Sequence, residues 1–314
     1  MTRIAPDVTV QRILDRVLQT RASARAETPP QGNHKDTTIV RYPDRPDVVV
    51  QLTATPSGAH TEATLLAAVR DQTTVPVARL LGRGRIGDRG YLVTEHVSGR
   101  DLHESFVTCS RATRERIARR FGRCLGELHD AFAFDAAGPV EVGASGTLAA
   151  TGPDGATFFE EYASDAVEAL PSAFDDRRPA IEAAVASRPE RAVQPRLFPW
   201  DLRPGNAILA DDDLAAVLDW ADPLAADPAL AVAKVEHLVA AWYVDDPAPL
   251  RSAFREGYAA VRPLPDVSVA DRVAAIAASA VDSNGTVTRP RYPELTGTAA
   301  VAVHREWFDE WLDE

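Results

Sequence analysis

Residues 196–220 read RLFPWDLRPGNAILADDDLAAVLDW. Asp201 and Asn206 share a loop rich in Pro and Gly, four residues between them. Two short apolar runs follow, Ala207–Ala210 and Leu214–Leu218, around the acidic turn Asp211–Asp213, and Asp219 closes the second. Asp and Asn favour turns because their side chains bond the local backbone, so residue type alone decides nothing. The order does: loop, strand, acidic turn, strand, then Asp219-Trp220-Ala221. Such a hairpin would bring Asp219 back beside the loop that carries Asp201.

Phosphoryl transfer asks for these residue types at these places. A loop Asp accepts the proton of the attacking hydroxyl, while a loop Asn and a post-strand Asp hold magnesium on the phosphates. Two carboxylates and an amide supply the hard oxygens that suit magnesium, and no thiol is required.

The rest of the composition narrows the class. With 314 residues, 45% of them hydrophobic, the chain can bury a sizeable core and form two lobes. No apolar run approaches the roughly 20 residues that span a bilayer, and the N-terminus lacks a leader pattern. The expectation is a cytoplasmic protein with no membrane partner. A net charge of −12 lacks the basic stripe that nucleic acid requires, which excludes that partner. Only two of the 34 basic residues are lysine, Lys35 and Lys234. Set against 46 acids, this resembles proteins of salt-accumulating halophiles, whose surface carboxylates serve solvation. Cys109 and Cys124 are too few for a disulfide framework or a four-ligand zinc site.

Hydrophobic periodicity predicts a helix over 9–21, strands Thr37–Tyr42 and Val48–Thr53, and a helix with Ser57 as N-cap. Strands Val77–Leu81 and Tyr91–Val97 come next. Beyond Ser98-Gly99 the pattern turns helical: 111–133, 157–170, 179–187, 229–244, 248–260, 269–281 and 298–312, with 136–156 read as loop. A β-rich lobe over 1–97 thus precedes a helical lobe over 98–314. Gly82, Gly84 and Gly87 fit a dinucleotide fingerprint. That motif needs a helix after it, and GYLVTEHV reads as a strand, so a hairpin connection is expected.

FPWDLRPGNAIL and VLDWAD resemble the H-G-D-L-H-P-G-N-x-L loop and the I-D-W strand end of the aminoglycoside phosphotransferase and choline kinase group. The resemblance implies an α+β, protein-kinase-like two-lobe fold, with a small antiparallel-sheet N-lobe and a larger, mainly helical C-lobe. It implies ATP and Mg2+ as cofactors, a small-molecule hydroxyl as acceptor, Asp201 as catalytic base, and Asn206 and Asp219 as metal ligands. QGNHKDTTIVRY resembles the family's nucleotide loop and next strand, with Gly32 and Asn33 at the turn. HTEATLLAAV resembles the helix whose Glu, here Glu62, pairs with a phosphate-binding cation. YLVTEHVSGRDL resembles the hinge strand, whose backbone at Glu95–Val97 would face adenine. CLGELHDAF places His129 in a structural role.

Three positions depart from the family pattern. Gln51 stands where VVVQL should end in Lys or Arg, Pro199 replaces the loop His, and Ala231-Val232-Ala233 replaces D-L-A. Lys35 is the candidate to replace the missing charge from the loop side. Two functions therefore stand: a small-molecule kinase, or a pseudokinase-like nucleotide-binding or regulatory protein with little catalysis. Oligomeric state is not encoded in any feature of the sequence.

Overall fold

The computed structural model describes residues 6–19, 24–29, 35–192, 194–282, 285–289 and 294–313. The chain divides into two compact units. One is Met1–Ser98 with Val140–Ala149 and Ala215–Asp222; the other is Gly99–Pro139, Ala150–Leu214 and Pro223–Glu314.

In the first unit, helix α1 (Val8–Leu18) starts where the Asp7 carboxylate accepts the Val10 N–H at 2.8 Å, an N-cap worth about 1 kcal/mol. Strands β1 (Arg25–Glu27), β2 (Asp36–Arg41) and β3 (Val48–Thr53) follow, then helix α2 (Pro56–Gln72) and strands β4 (Leu80–Ile86) and β5 (Arg89–Glu95). The strands form one antiparallel sheet in the order β1-β2-β3-β5-β4. Val10, Ile13 and Leu14 of α1 are buried against Val40, Val48, Val50, Leu52, Tyr91 and Val93. Side chains alternate across a strand, so Gln51 points to the opposite face, where its register partner Leu92 lies. Helix α2 packs there, so closely that a Cβ at Gly90 would sit 2.6 Å from the Ala59 Cβ.

Two boundaries differ from the sequence expectation. Helix α2 is capped by Thr55, whose Oγ1 accepts the Gly58 N–H at 3.1 Å, and Ser57 lies inside the first turn. The reason is Pro56, whose fixed φ suits the first helical position. Strand β4 begins later than expected and runs through Gly82 and Gly84, while Val77 forms an isolated bridge to Val217. The glycine motif is therefore half of a β4–β5 hairpin, turning at Gly87 (φ +60°) and Asp88. Gly84 is small because Tyr91 crosses it: an added Cβ would be 2.6 Å from the phenol oxygen.

The second unit starts with β6 (Arg100–Asp101), α3 (Leu102–Ser105) and α4 (Arg111–Ala131). Strands β7 (Gly138–Val142) and β8 (Leu148–Ala150) occupy the stretch expected to be loop. Their alternation is too short to emerge from a Gly- and Ala-rich background, and pairing supplies the order: Leu224 and Ala225 of a later strand face Pro139 and Gly138. Helices α5 (Gly155–Glu168) and α6 (Arg178–Ala186) lead to β9 (Arg196–Phe198), β10 (Ala207–Ala210), β11 (Asp213–Val217) and β12 (Leu224–Ala226). Helices α7 (Pro228–Glu236), α8 (Ala248–Ala259) and α9 (Val269–Ala280), the short strands β13 (Thr288–Arg289) and β14 (Leu295–Thr296), and α10 (Gly297–Leu312) complete the described residues.

Charge buried between helices fixes their entry points. Asp227 caps α7, its Oδ1 accepting the Ala229 N–H at 2.8 Å, and Asp271 closes a capping box with Ser268 at the start of α9. Arg188 reaches both carboxylates at 2.6 and 3.0 Å, and Arg191 does so at 2.7 and 2.6 Å. Helix α7 ends in a π-helical turn, His237–Ala241, whose extra residue precedes Trp242 and Tyr243.

Three histidines lie in this unit's interior. Burial, then the nearby Arg262 and Arg196, pulls His129 down to about 3. Burial likewise takes His304 to about 4 and His237 well below its ordinary value. His129 donates to or accepts from the Tyr258 hydroxyl at 2.8 Å, consistent with a structural role. Depressed histidine values stabilise the fold above the unfolded pKa near 6.5, and that stability is lost as pH falls. Each group contributes a slope of about 1.4 kcal/mol per pH unit below that point. Urea unfolding at pH 7, 6 and 5 is therefore expected to give a steeply falling stability, and an unchanged value across that range would contradict buried neutral histidines.

Candidate active site

In the second unit, β9 pairs with β12, Phe198 opposite Leu224, and delivers the chain into a tight loop. The Trp200 N–H bonds the Phe198 carbonyl at 2.9 Å and the Leu202 N–H bonds the Pro199 carbonyl at 3.0 Å. Leu202 is buried, which anchors the loop and leaves the flanking Asp201 and Arg203 half-exposed. A 3-10 turn over Pro204–Asn206 then leads into β10. Asn206 turns back on the loop: its Nδ2 donates to Asp201 Oδ2 at 2.6 Å and to the Asp201 carbonyl at 3.1 Å. The other oxygen, Asp201 Oδ1, lies 2.7 Å from Arg203 Nε.

The loop is braced from below. The buried Tyr243, placed just past the π-helical turn, bonds the Gly205 N–H through its hydroxyl and meets His103 Nδ1 at 3.2 Å. Gly205 leaves room for this contact, since an added Cβ would be 3.1 Å from the phenol oxygen. Lys234 of α7 is wholly buried and donates to the Ala278 carbonyl and Ser279 Oγ, each at 2.7 Å. Burial lowers it to about 7, with Asp201 pulling it up and Arg203 down.

The first unit carries a second constellation. Lys35 Nζ lies 2.7 Å from Glu62 Oε1 and 3.0 Å from Asp219 Oδ1. The Lys35 and Glu62 side chains are only 9% and 4% exposed, whereas that of Asp219 is 51% exposed. Burial alone would pull Lys35 down, but the charges of Glu62 and Asp219 outweigh it and hold the ammonium above its usual value. Burial lifts Glu62 above the usual carboxylate range against the pull of Lys35. Asp219 adopts φ +58° and Asp222 φ +48°, a left-handed backbone that Asp tolerates better than most residues. Trp220 between them is buried, its indole N–H on the Val217 carbonyl at 3.0 Å, which pins the turn.

Residues 25–268 match the model of the phosphotransferase enzyme family APH. The chain belongs to this family. Among curated proteins none matches. Solved structures do. Aminoglycoside phosphotransferase APH(4)-Ia has a TM-score of 0.67 at 12% identity, covering 97% of this chain and 98% of that one. A mutant of it has been solved as a ternary complex with AMP-PNP and hygromycin B. Macrolide 2'-phosphotransferase MphH from Brachybacterium faecium has a TM-score of 0.59 at 18% identity, covering 96% of this chain and 98% of that one. ADP-bound APH(2'')-Ib has a TM-score of 0.54 at 15% identity, covering 86% and 87%. The phosphotransferase thus has the protein-kinase-like α+β fold, an antiparallel-sheet unit with a mainly helical one.

The donor set fits magnesium. Among the described residues no three or more His, Cys, Asp or Glu converge on a metal-holding site. Magnesium does not need one, because it is held by one or two protein oxygens plus substrate phosphates and waters. With Nδ2 spent on Asp201, the amide oxygen of Asn206 is the atom left for a cation, and Asp219 offers an exposed carboxylate.

The other sequence candidates fall as follows. Gly32 and Asn33 lie outside the described residues. Gln51 makes a 3.5 Å contact with Thr37 Oγ1, and Lys35, not a β3 residue, is the partner of Glu62 in the phosphotransferase. At the hinge, the N–H groups of Glu95 and His96 are committed to the Arg79 and Asp47 carbonyls. That leaves Val97 as the position there with no backbone partner for its N–H among the described residues. Arg203 was not singled out in the sequence, because an Arg beside Pro-Gly reads as a solvated loop cation. Tyr243 and His103 carry no local signal at all.

Proposed function

We propose that this phosphotransferase moves the γ-phosphate of ATP, with magnesium, to a hydroxyl of a small molecule. Asp201 is the base, Asn206 and Asp219 hold the metal, and Lys35, oriented by Glu62, neutralises the phosphates. In this reading residues 1–97 form the nucleotide lobe, with Gly32 and Asn33 in its loop and the backbone of Glu95–Val97 at adenine. Residues 98–314 carry the catalytic loop and the acceptor pocket.

The chemistry follows from residues in place. Asp201 is fixed by two bonds from Asn206, so its carboxylate can accept the acceptor's proton as the oxygen attacks phosphorus in line. Bound magnesium would supply charge neutralisation on the phosphates. The observation that favours turnover over a weakly catalytic nucleotide-binding protein is the Lys35–Glu62 ion pair. It supports a working phosphate cation despite Gln51, and decay would not be expected to conserve charge by moving it.

The test is ADP release by the full chain with MgATP against pools of amino alcohols, sugars, aminoglycosides and macrolides, at low and high salt. Acceptor-dependent ADP release that EDTA abolishes is expected. No magnesium-dependent ATP binding under any condition would remove the proposal.

A further inference from the structure

The carboxylate of Asp201 has both oxygens occupied: Oδ2 by Asn206 Nδ2 at 2.6 Å and Oδ1 by Arg203 Nε at 2.7 Å. A base in this state cannot take a proton until one oxygen is released. The Asn206 contact is doubly anchored, to the side chain and to the Asp201 carbonyl, and lies within the loop's own fold. Oδ1 is therefore the oxygen that opens, and Arg203 is the group that must move.

We propose that Arg203 is a catalytic residue: it covers Asp201 in the resting site and shifts its guanidinium onto the transferred phosphoryl oxygens when ATP and acceptor are bound. The proposal rests on the kinase reading above. In the step itself, the acceptor oxygen forms its bond to the γ-phosphorus as the bond from phosphorus to the β,γ-bridging oxygen breaks. The acceptor proton passes to Asp201 Oδ1, and ADP leaves with the bond pair. The phosphoryl oxygens flank an acceptor oxygen that is itself within hydrogen-bond reach of Asp201. They therefore come within a side-chain length of Arg203.

Three features suit Arg203 to this exchange. Its side chain is 22% exposed, so it is neither locked in the core nor lost to solvent. It lies over Gly205, where an added Cβ would be 3.3 Å from its Cζ and Nη1, so the loop backbone leaves the guanidinium space. A planar guanidinium also matches phosphoryl oxygens in a two-pronged geometry that a lysine cannot reproduce. The neighbouring cation, Lys234, is buried and spent on Ala278 and Ser279, so it cannot substitute.

The experiment compares binding of a non-hydrolysable ATP analogue and of ADP, each with magnesium, to the full chain, to Arg203→Ala and to Arg203→Lys, by calorimetry. Losing a charge-assisted contact to the γ-phosphate lowers the preference for the triphosphate by about tenfold in Arg203→Ala. Arg203→Lys is expected to fall between that variant and the wild type. ADP affinity stays as in the wild type for both. A purely structural role would move both nucleotides together or neither, and a preference unchanged within about twofold in both variants overturns the proposal. If Arg203→Ala fails to fold, Arg203→Lys decides alone. Wild-type protein that binds neither nucleotide rejects the kinase reading and this proposal with it.

Discussion

Asp201→Asn is expected to lower turnover by about 10²–10⁴-fold, the contribution of a positioned general base, while leaving magnesium–nucleotide binding intact. The substitution keeps the side chain's volume and an oxygen facing Asn206 Nδ2, so the loop bonds at 2.6 and 3.1 Å have an acceptor still. What disappears is the capacity to hold the acceptor's proton. Leu202 remains buried and Tyr243 continues to brace Gly205, so the fold of the loop does not depend on the charge. Steady-state ADP release and nucleotide calorimetry on the same preparation separate the two effects. Turnover within tenfold of the wild type would sink the assignment of Asp201 as base, because amide and carboxylate would then be serving equally.

Lys35→Ala carries the second large effect, a fall in catalytic efficiency of about 10²–10³-fold, typical of losing one preorganised electrostatic group. The loss is shared between chemistry and nucleotide affinity, since a cation on the phosphates acts in both the ground state and the transition state. The structure also predicts its repair. Thr37 of β2 lies opposite Gln51 of β3, and Lys35 precedes Thr37 by two residues, so all three project to the α2 face of the sheet. A lysine at 51 therefore starts from the same face as the one at 35, on the adjacent strand. Gln51→Lys in the Lys35→Ala background is expected to recover at least tenfold of the lost efficiency and to restore a partner to the buried Glu62. Gln51→Lys alone, with Lys35 present, places two ammonium groups on one carboxylate and is expected to weaken, not strengthen, turnover. If Lys35→Ala binds and turns over ATP as the wild type does, the phosphate cation lies elsewhere.

The pairing of Lys35 with Glu62 explains why the site was only half legible in sequence. Asp201, Asn206 and Asp219 stood out because their chemistry demands particular residue types at short, fixed spacing around a loop and two strands. Glu62 was recognisable on its helix, but its partner was sought at Gln51, in the strand where the family keeps it. Which residue meets Glu62 is a question of strand register and side-chain parity, separated by 27 positions in the chain, and no local pattern encodes it. Arg203 was hidden for the opposite reason. It sits beside Asp201 in the sequence, but proximity along a loop does not say whether two side chains turn toward each other.

The same division holds for the fold. Periodicity over one or two helical turns was enough to locate the helices, and Asp227-Pro228 announced the start of α7 by cap chemistry that is complete within three residues. Alternation located β2 and β3 for the same reason. The strands β7 and β12 remained hidden because each is short and ordered mainly by its partner. The π-helical turn that carries the chain toward Tyr243, and so braces Gly205, likewise depends on packing around Trp242 and Trp307 and not on any residue within it. By itself the sequence determined the residue types of the catalytic loop and the order of most elements, because those are set by interactions spanning a few residues. Tertiary structure alone decided that Lys35 holds Glu62 and Asp219, and that Arg203 covers Asp201. Both are choices among charged partners that only register, burial and side-chain direction can make.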